Sequence, residues 1–167
     1  MRDTLYDGWP FRTLNVIDEG NREGPRIECG SSISSLQLVR VMQELFEVYG
    51  RPEAIRLDNG PEMASHAFVG WAREQNIRLM LIQPGKPNQN AFIERFNRSF
   101  RTEVLDASLF DSVDQVQEQV GTWLIAYNEQ RPHESLGNVP PVLYMPRTFP
   151  TGVSLLLGCP LDGDVYA

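Results

Sequence analysis

The chain has 167 residues, and its 22 acidic and 15 basic side chains give it a net charge of −7. This length suits one domain and is too short for two independent cores, and the negative charge excludes a surface that attracts nucleic acid everywhere. Hydrophobic residues make up 41% of the chain, which is typical of a protein with a buried core. The sequence has two cysteines and no apolar run long enough for a membrane span, so we expect a cytoplasmic protein with no membrane partner.

The charge is distributed unevenly along the chain. Residues 51–101 carry eight basic and five acidic side chains, whereas residues 102–167 carry two basic and nine acidic ones. The middle third is therefore locally basic within an acidic chain. This distribution permits a polyanionic partner at one place on the surface without proving one.

Strands are predicted at the start of the chain. Residues 11–18 alternate and then run apolar after the turn signal Asp7-Gly8, which predicts a hairpin between a short first strand and a second one. Pro25 to Cys29 is typical of a third short strand. Apolar residues at helical spacing then predict a helix that ends at Gly50: Leu38, Val41, Met42, Leu45 and Tyr49.

Strands and helices alternate after Gly50. Residues 53–58 predict a brief strand, the segment around Phe68 to Ala72 predicts a second helix, and residues 77–82 predict a buried strand. Together these elements indicate an α/β fold with a mixed sheet. Its first three strands are antiparallel, a parallel βαβ unit follows, and helices flank the sheet.

A loop and a helix follow the last of these strands. Gln83 to Asn90 contains two prolines and a glycine, which predicts a flexible loop. One apolar stripe marks the next helix: Ile93, Phe96, Phe100 and Val104. At about 100° per residue, a polar rim lies beside that stripe. The rim consists of Asn90, Glu94, Arg98 and Arg101.

The end of the chain changes character. A last helix is predicted from Ser112 to Asn128, with Ser112 as its N-cap. Beyond Pro140 the sequence contains prolines, glycines and a single run of three leucines at 155–157. We therefore predict a domain of residues 1–146 followed by a loosely packed C-terminal tail of residues 147–167.

Two carboxylates stand at positions that suit metal chemistry. Asp58 follows a predicted strand, at the end where open α/β sheets present ligand groups, and Glu94 begins a helix after the flexible loop. Two carboxylates that converge from different elements can hold a pair of Mg²⁺ ions for phosphoryl transfer. A simpler alternative is that Asp58 caps the turn at Asn59-Gly60 and Glu94 pairs with Arg98.

Several motifs in one order resemble a known family. They are Leu57-Asp58-Asn59-Gly60-Pro61-Glu62, the segment from Gln83 to Asn97, Tyr127-Asn128, and Arg131-Pro132-His133. Over roughly residues 3 to 145 the chain resembles the retroviral-integrase-type catalytic core of insertion-sequence transposases, especially the insertion-sequence-three family. This resemblance implies an RNase H-like fold and an acidic triad of Asp, Asp and Glu.

The resemblance also assigns site residues. Asp58 is expected to be the second acid of the triad and Glu94 the third, and both are expected to ligate two Mg²⁺ or Mn²⁺ ions. The first acid aligns just before Met1, so no residue is assigned to it and an N-terminally truncated first strand is expected. Four residues are expected to contact DNA: Lys86, Asn90, Arg98 and Arg101.

Three functions remain open at this point. The first is a metal-dependent DNA strand-cleaving and strand-joining core that acts on element ends and target DNA, as a homo-oligomer at the bacterial nucleoid. The second is a non-catalytic fragment that binds DNA or transposase subunits, because one of three metal ligands has no counterpart. The third is an RNase H-like nuclease with another substrate.

Overall fold

A computed structural model describes residues 1–57, 63–82 and 91–145, together with the backbone of a strand at residues 154–158. The six strands are β1 (Arg2–Thr4), β2 (Pro10–Asp18), β3 (Arg26–Gly30), β4 (Ala54–Leu57), β5 (Arg78–Leu81) and β6 (Ser154–Gly158). The helices are α1 (Ser35–Tyr49), α2 (His66–Glu74), α3 (Ala91–Phe100), α4 (Val113–Ile125) and α5 (Pro141–Tyr144). Helices α3 and α4 continue directly into the π-helical turns Arg101–Leu105 and Ala126–Gln130.

The strands form one mixed sheet. Strand β2 pairs antiparallel with β1 and with β3, and Arg12 lies opposite both Arg2 and Gly30, so β1 and β3 flank β2 on opposite sides. Strand β4 pairs in parallel with β5 on one side and with β6 on the other. The predicted order, antiparallel strands first and a parallel βαβ unit second, is therefore confirmed.

Strand β6 occupies the interior of this sheet. It pairs antiparallel with β2, where Leu155 lies opposite Asp18 and Gly158 lies opposite Asn15. The carbonyl of Met1 then accepts from the amide of Thr13, so β6 and the start of β1 lie end to end along the same side of β2. Residues 154–158 thus join the antiparallel and parallel halves of the sheet, whereas the rest of the expected tail of residues 147–167 lies outside the described residues.

Two hydrophobic clusters cover the two faces of the sheet. Helices α1 and α2 pack on the face of Leu14 and Val16, and helices α3 and α4 pack on the face of Phe11 and Ile17. Successive side chains of β2 thus point to opposite clusters, as the period of a strand requires. Serine side chains accept from backbone amides at the starts of three helices: Ser34 for α1, Ser65 for α2 and Ser112 for α4.

Strand β5 differs from its prediction. The sequence predicts a buried strand, but β5 pairs only with β4 among the described strands, and it lies at the edge of the sheet. The side chain of Leu81 is accordingly 57% exposed. Among the described residues, no helix combines the length and the apolar character that a bilayer span requires.

Candidate active site

Helix α3 carries the candidate catalytic acid Glu94 in its first turn. The buried stripe of α3 includes Ile93, Phe96 and Phe100, as predicted, and it packs against the sheet on the side of Phe11 and Ile17. Glu94 lies in the first turn, where the helix dipole favours a negative charge, and its side chain is exposed. The fold therefore fixes the backbone of Glu94 and leaves its carboxylate accessible.

Arg98 lies one turn after Glu94 and is also exposed. The two side chains do not form an ion pair with each other, since no N–O distance between them is within 4.0 Å. The simpler alternative, in which Glu94 pairs with Arg98 at i+4, is thus not the arrangement in this structure. Both side chains face solvent on one flank of α3 and are available to a ligand.

Arg101 is tied to the start of the chain. Its guanidinium donates to the carbonyl of Arg2 at 2.9 Å and pairs with Asp3 at 3.2 Å and with Asp106 at 3.4 Å. These contacts fasten the end of α3 to β1. A DNA contact by Arg101 stays a prediction, and it would compete with these carboxylates.

Three predicted site residues lie outside the described part of the chain: Asp58, Lys86 and Asn90. The elements that lead into them are described. Strand β4 ends at Leu57, directly before Asp58 in the sequence, and α3 begins at Ala91, directly after Asn90. Within the described residues, no three His, Cys, Asp or Glu side chains gather as a metal site would require.

A buried polar pair that the sequence reasoning missed positions α3 on the sheet. The Asn15 side-chain amide, at the centre of β2, donates to Asn97 Oδ1 at 2.6 Å. Asn97 follows Glu94 by three residues, and both asparagines are buried. A hydrogen bond between buried amides is directional, so it fixes the register of α3 over β2 more strictly than apolar packing does. The available signal was an asparagine within the apolar pattern of each element.

The Tyr-Asn motif near the end of the domain has a structural role. Tyr127 stacks on Trp123, with ring centroids 5.0 Å apart, and contacts the edge of Phe96 at the same separation. The Asn128 side chain accepts from the Gly24 amide and donates to the Gly24 carbonyl, both at 2.9 Å. The motif therefore joins the π-helical turn after α4 to the segment that precedes β3.

His133 and its neighbours line a second polar region that the sequence reasoning did not predict. The rings of His133 and Tyr127 meet edge to face, with their centroids 4.7 Å apart. Burial lowers the pKa of the His133 imidazole. Around it lies a cavity of about 270 Å³, whose walls include Arg22, Arg95 and Arg131. These arginines come from three distant segments, which explains why no local pattern indicated the cavity.

Comparison with known proteins identifies the fold. The structure of the simian T-cell lymphotropic virus intasome, in complex with PP2A regulatory subunit B56 gamma, contains a chain that matches 90% of this one with a TM-score of 0.73 at 18% identity, over 54% of that chain. The magnesium complex of the HTLV-2 integrase catalytic core domain, in a trimeric form, matches 86% of this chain and 90% of its own with a TM-score of 0.64 at 15% identity. The expected RNase H-like fold is thereby confirmed.

Sequence comparison identifies relatives in bacterial insertion elements. A 39.2 kDa protein of insertion element IS476 from Xanthomonas euvesicatoria is 39% identical over 85% of this chain. A 31.7 kDa protein of insertion element IS407 from Burkholderia multivorans is 38% identical over 84% of it. The matches cover 41% and 51% of those proteins, so the chain spans about half the length of these relatives.

Family models for the integrase core domain match residues 3–87 and residues 75–141 of this chain. Together they span the described strands and helices from the middle of β1 to the start of α5. The insertion-element relatives and the integrase fold agree with this assignment. The chain belongs to the integrase core domain family.

Proposed function

We propose that this chain is the catalytic core of a bacterial insertion-sequence transposase, which cuts and joins DNA strands by metal-dependent phosphoryl transfer. The observation that carries the proposal is the placement of Glu94. A buried stripe and the Asn15–Asn97 hydrogen bond hold α3 against the sheet, while the Glu94 carboxylate remains exposed and unpaired among the described residues. Family membership and the insertion-element relatives support the same function.

The donors of this chain fit a divalent cation. Glu94 supplies carboxylate oxygens, the donor type that Mg²⁺ takes, and Asp58 follows β4 directly in the sequence. A Mg²⁺ pair, when bound, would lower the pKa of an attacking hydroxyl and stabilise the leaving oxygen. The HTLV-2 integrase core of the same fold was solved in complex with magnesium, which supports the choice of ion.

The protein side chains would then act as ligands and positioning groups. Asp58 and Glu94 would hold the cations in place, and no covalent intermediate with the protein is required. Water or a DNA 3′-hydroxyl would be the nucleophile. Lys86, Asn90, Arg98 and Arg101 would neutralise or orient the phosphates around the scissile bond, as side chains of this type do in phosphoryl transfer.

DNA and further copies of the chain are the proposed partners, at the nucleoid of a bacterial cytoplasm. The two HTLV-2 integrase core structures are described as trimeric and dimeric forms, which supports self-association in this fold. The locally basic stretch of residues 51–101 contains both candidate metal ligands. The bound cations would add positive charge there, so the net charge of −7 does not argue against a phosphate at this site.

The test is strand cleavage of end-labelled duplex DNA carrying the element ends, with Mn²⁺ or Mg²⁺. We expect product from the wild-type chain and none from Glu94→Gln or Asp58→Asn, while both variants keep the wild-type melting temperature. Glu47→Gln is the matched control, because Glu47 is an exposed carboxylate on α1, on the other face of the sheet. DNA binding without cleavage by the wild-type chain would instead support the non-catalytic alternative.

A further inference from the structure

The cavity beside His133 has an unusual lining. It lies between the turn after β2, one flank of α3 and the segment that follows α4. Its volume is about 270 Å³, and its walls include Arg22, Phe92, Arg95, Tyr127, Arg131 and His133. Glu134 is the acidic residue among the described residues that line it, so the lining contains three arginines and one carboxylate.

Arg22 is the most constrained of the three arginines. Its backbone has a φ of 65°, in the left-handed region, and its guanidinium lies over the Phe92 ring at 3.4 Å from the centroid. Among the described residues, its buried Nε and Nη1 atoms have no hydrogen-bond partner. Burial lowers the pKa of Arg22, although Glu19 and Asp18 nearby oppose that effect. Unsatisfied buried donors cost free energy, which an acceptor in the cavity would recover.

The other two arginines extend this donor surface. Arg95 lies on an exposed part of α3 and forms no ion pair with a described residue. Arg131 shares the Glu103 carboxylate with Trp123, and its guanidinium also lies 5.7 Å from the centre of the Tyr127 ring. The cavity therefore combines buried, partly neutralised and free guanidinium groups around one small volume.

We propose that this cavity binds a phosphate group of the DNA backbone. Guanidinium groups present paired donors whose geometry matches phosphate oxygens, and three of them around one cavity favour a multiply charged anion. The volume is near the lower limit of ligand pockets, which suits one phosphate with its sugar better than a complete nucleotide. The DNA source of the phosphate rests on the function proposed above, whereas the binding of an anion does not.

The position on α3 makes this a site separate from Glu94. Phe92, Arg95 and Ser99 recur at i, i+3 and i+7 on one flank of the buried stripe, whereas Glu94 and Arg98 lie on the other. A helix with its side chains is about 10 Å across. DNA would thus contact α3 on two sides, with the scissile phosphate near Glu94 and a second phosphate held in the arginine cavity.

Two binding measurements test the proposal. The first is the fluorescence anisotropy of a labelled duplex across a salt series, and the second is the melting temperature of the full chain with and without inorganic phosphate. The variants are Arg95→Gln and Arg22→Asn, the latter because asparagine tolerates a positive φ. Arg73→Gln is the matched control, since Arg73 is an exposed arginine at the end of α2 on the other face of the sheet.

Each result has a defined meaning. We expect Arg95→Gln and Arg22→Asn to weaken duplex binding by about 3- to 10-fold and to reduce the salt slope by about one contact, with Arg73→Gln unchanged. Phosphate should raise the melting temperature of the wild type and of Arg73→Gln, and not that of the two cavity variants. If phosphate no longer stabilises the two cavity variants but they bind the duplex as the wild type does, the cavity binds an anion that does not come from DNA. No effect in either measurement would overturn the site itself.

A failure of this proposal is distinguishable from a failure of the proposed function. Cleavage depends on Glu94 and Asp58, whereas both binding measurements use no metal and record no turnover. Cleavage that is lost in Glu94→Gln, with no effect of Arg95→Gln in either binding measurement, would support the catalytic proposal and overturn this one. The reverse result would leave an anion site on a chain that does not cut.

Discussion

The two faces of the sheet are built from different kinds of residue. The α1 and α2 face packs Leu14 and Val16 against the helices through apolar side chains, and its buried charged residue, Glu28 of β3, pairs with the exposed Arg40 of α1. The α3 and α4 face adds the buried Asn15–Asn97 pair and a network of aromatic rings. An ion pair with an exposed arginine therefore joins α1 to the sheet, whereas a hydrogen bond between two buried amides joins α3 to it. The candidate functions thus lie on the face whose helix is held by a buried directional contact.

The largest loss of stability should come from truncating one buried aromatic side chain on each face of the sheet. Phe96→Ala and Phe68→Ala both remove a fully buried ring, and each should lower the free energy of unfolding by about 3–5 kcal/mol. Only Phe96→Ala should also reduce DNA cleavage at a temperature at which the variant remains folded, because Phe96 supports Tyr127 and Trp123 beside α3. Denaturant unfolding and cleavage measured on the same samples provide the comparison. Equal activity losses would mean that the two faces do not differ in function.

The next largest loss of stability is expected from a change in β6, the strand that joins the two halves of the sheet. Leu156 lies opposite Ile17 of β2 and Arg56 of β4, so Leu156→Pro removes a backbone donor from the middle of the ladder. We expect a loss of at least about 2 kcal/mol in the free energy of unfolding, since a partner group is left unsatisfied. Ser108→Pro, in the exposed segment that follows the π-helical turn Arg101–Leu105, is the control. If Leu156→Pro has the same free energy of unfolding as this control, β6 does not hold the sheet together.

A smaller effect is expected from the buried asparagines. Asn97→Ala leaves the Asn15 amide without its partner and should cost about 1–3 kcal/mol. The double variant Asn15→Ala/Asn97→Ala should be less destabilised than the two single effects predict when added, because neither polar group is then left alone. Chemical denaturation of all four proteins measures this coupling. Strict additivity would show that the pair does not contribute as a unit.

The smallest expected effect is a pH dependence of stability that arises from Glu103, which pairs with Arg131 beside the arginine cavity. Burial alone would raise the pKa of Glu103, but hydrogen bonds from Arg131 and Trp123 lower it below its usual value. The bonds to the Glu103 carboxylate therefore stabilise the fold above the pKa of the unfolded chain, and this contribution disappears as the pH falls through the folded pKa. Because the site is partly exposed, the gain should stay below about 1 kcal/mol. Melting curves of wild type and Glu103→Gln should differ at neutral pH and converge in acid.

Local patterns predicted much of this fold. The spacing of Leu38, Val41, Met42 and Leu45 predicted α1, and Ser112 was correctly identified as the cap of α4. Both depend on residues a few positions apart, where helix periodicity and capping act. The motifs that resemble integrase cores predicted the fold class, which the structure confirms.

Features that depend on distant residues were not predictable in this way. A run of three leucines indicates burial but not its partner, so the pairing of Leu157 with Val16 and with Leu57 could not be inferred. The arginine cavity brings together positions 22, 95 and 131, and the sequence around each of these arginines gives no sign of the other two. The exposure of Leu81 depends on the absence of a further described strand beside β5, which the sequence of β5 does not encode.

The interior position of β6 has a kinetic consequence. Strand β6 is synthesised after every other described element, and its pairing of Leu155 with Asp18 closes a loop of nearly the whole chain. Until that closure the inner edges of β2 and β4 are open to other strands, at the stage when a nascent chain is most prone to aggregate. Such long-range closure also slows folding, since the entropy of the loop is lost before the contacts form. Refolding should therefore be slower than that of a domain of similar size whose strands pair locally.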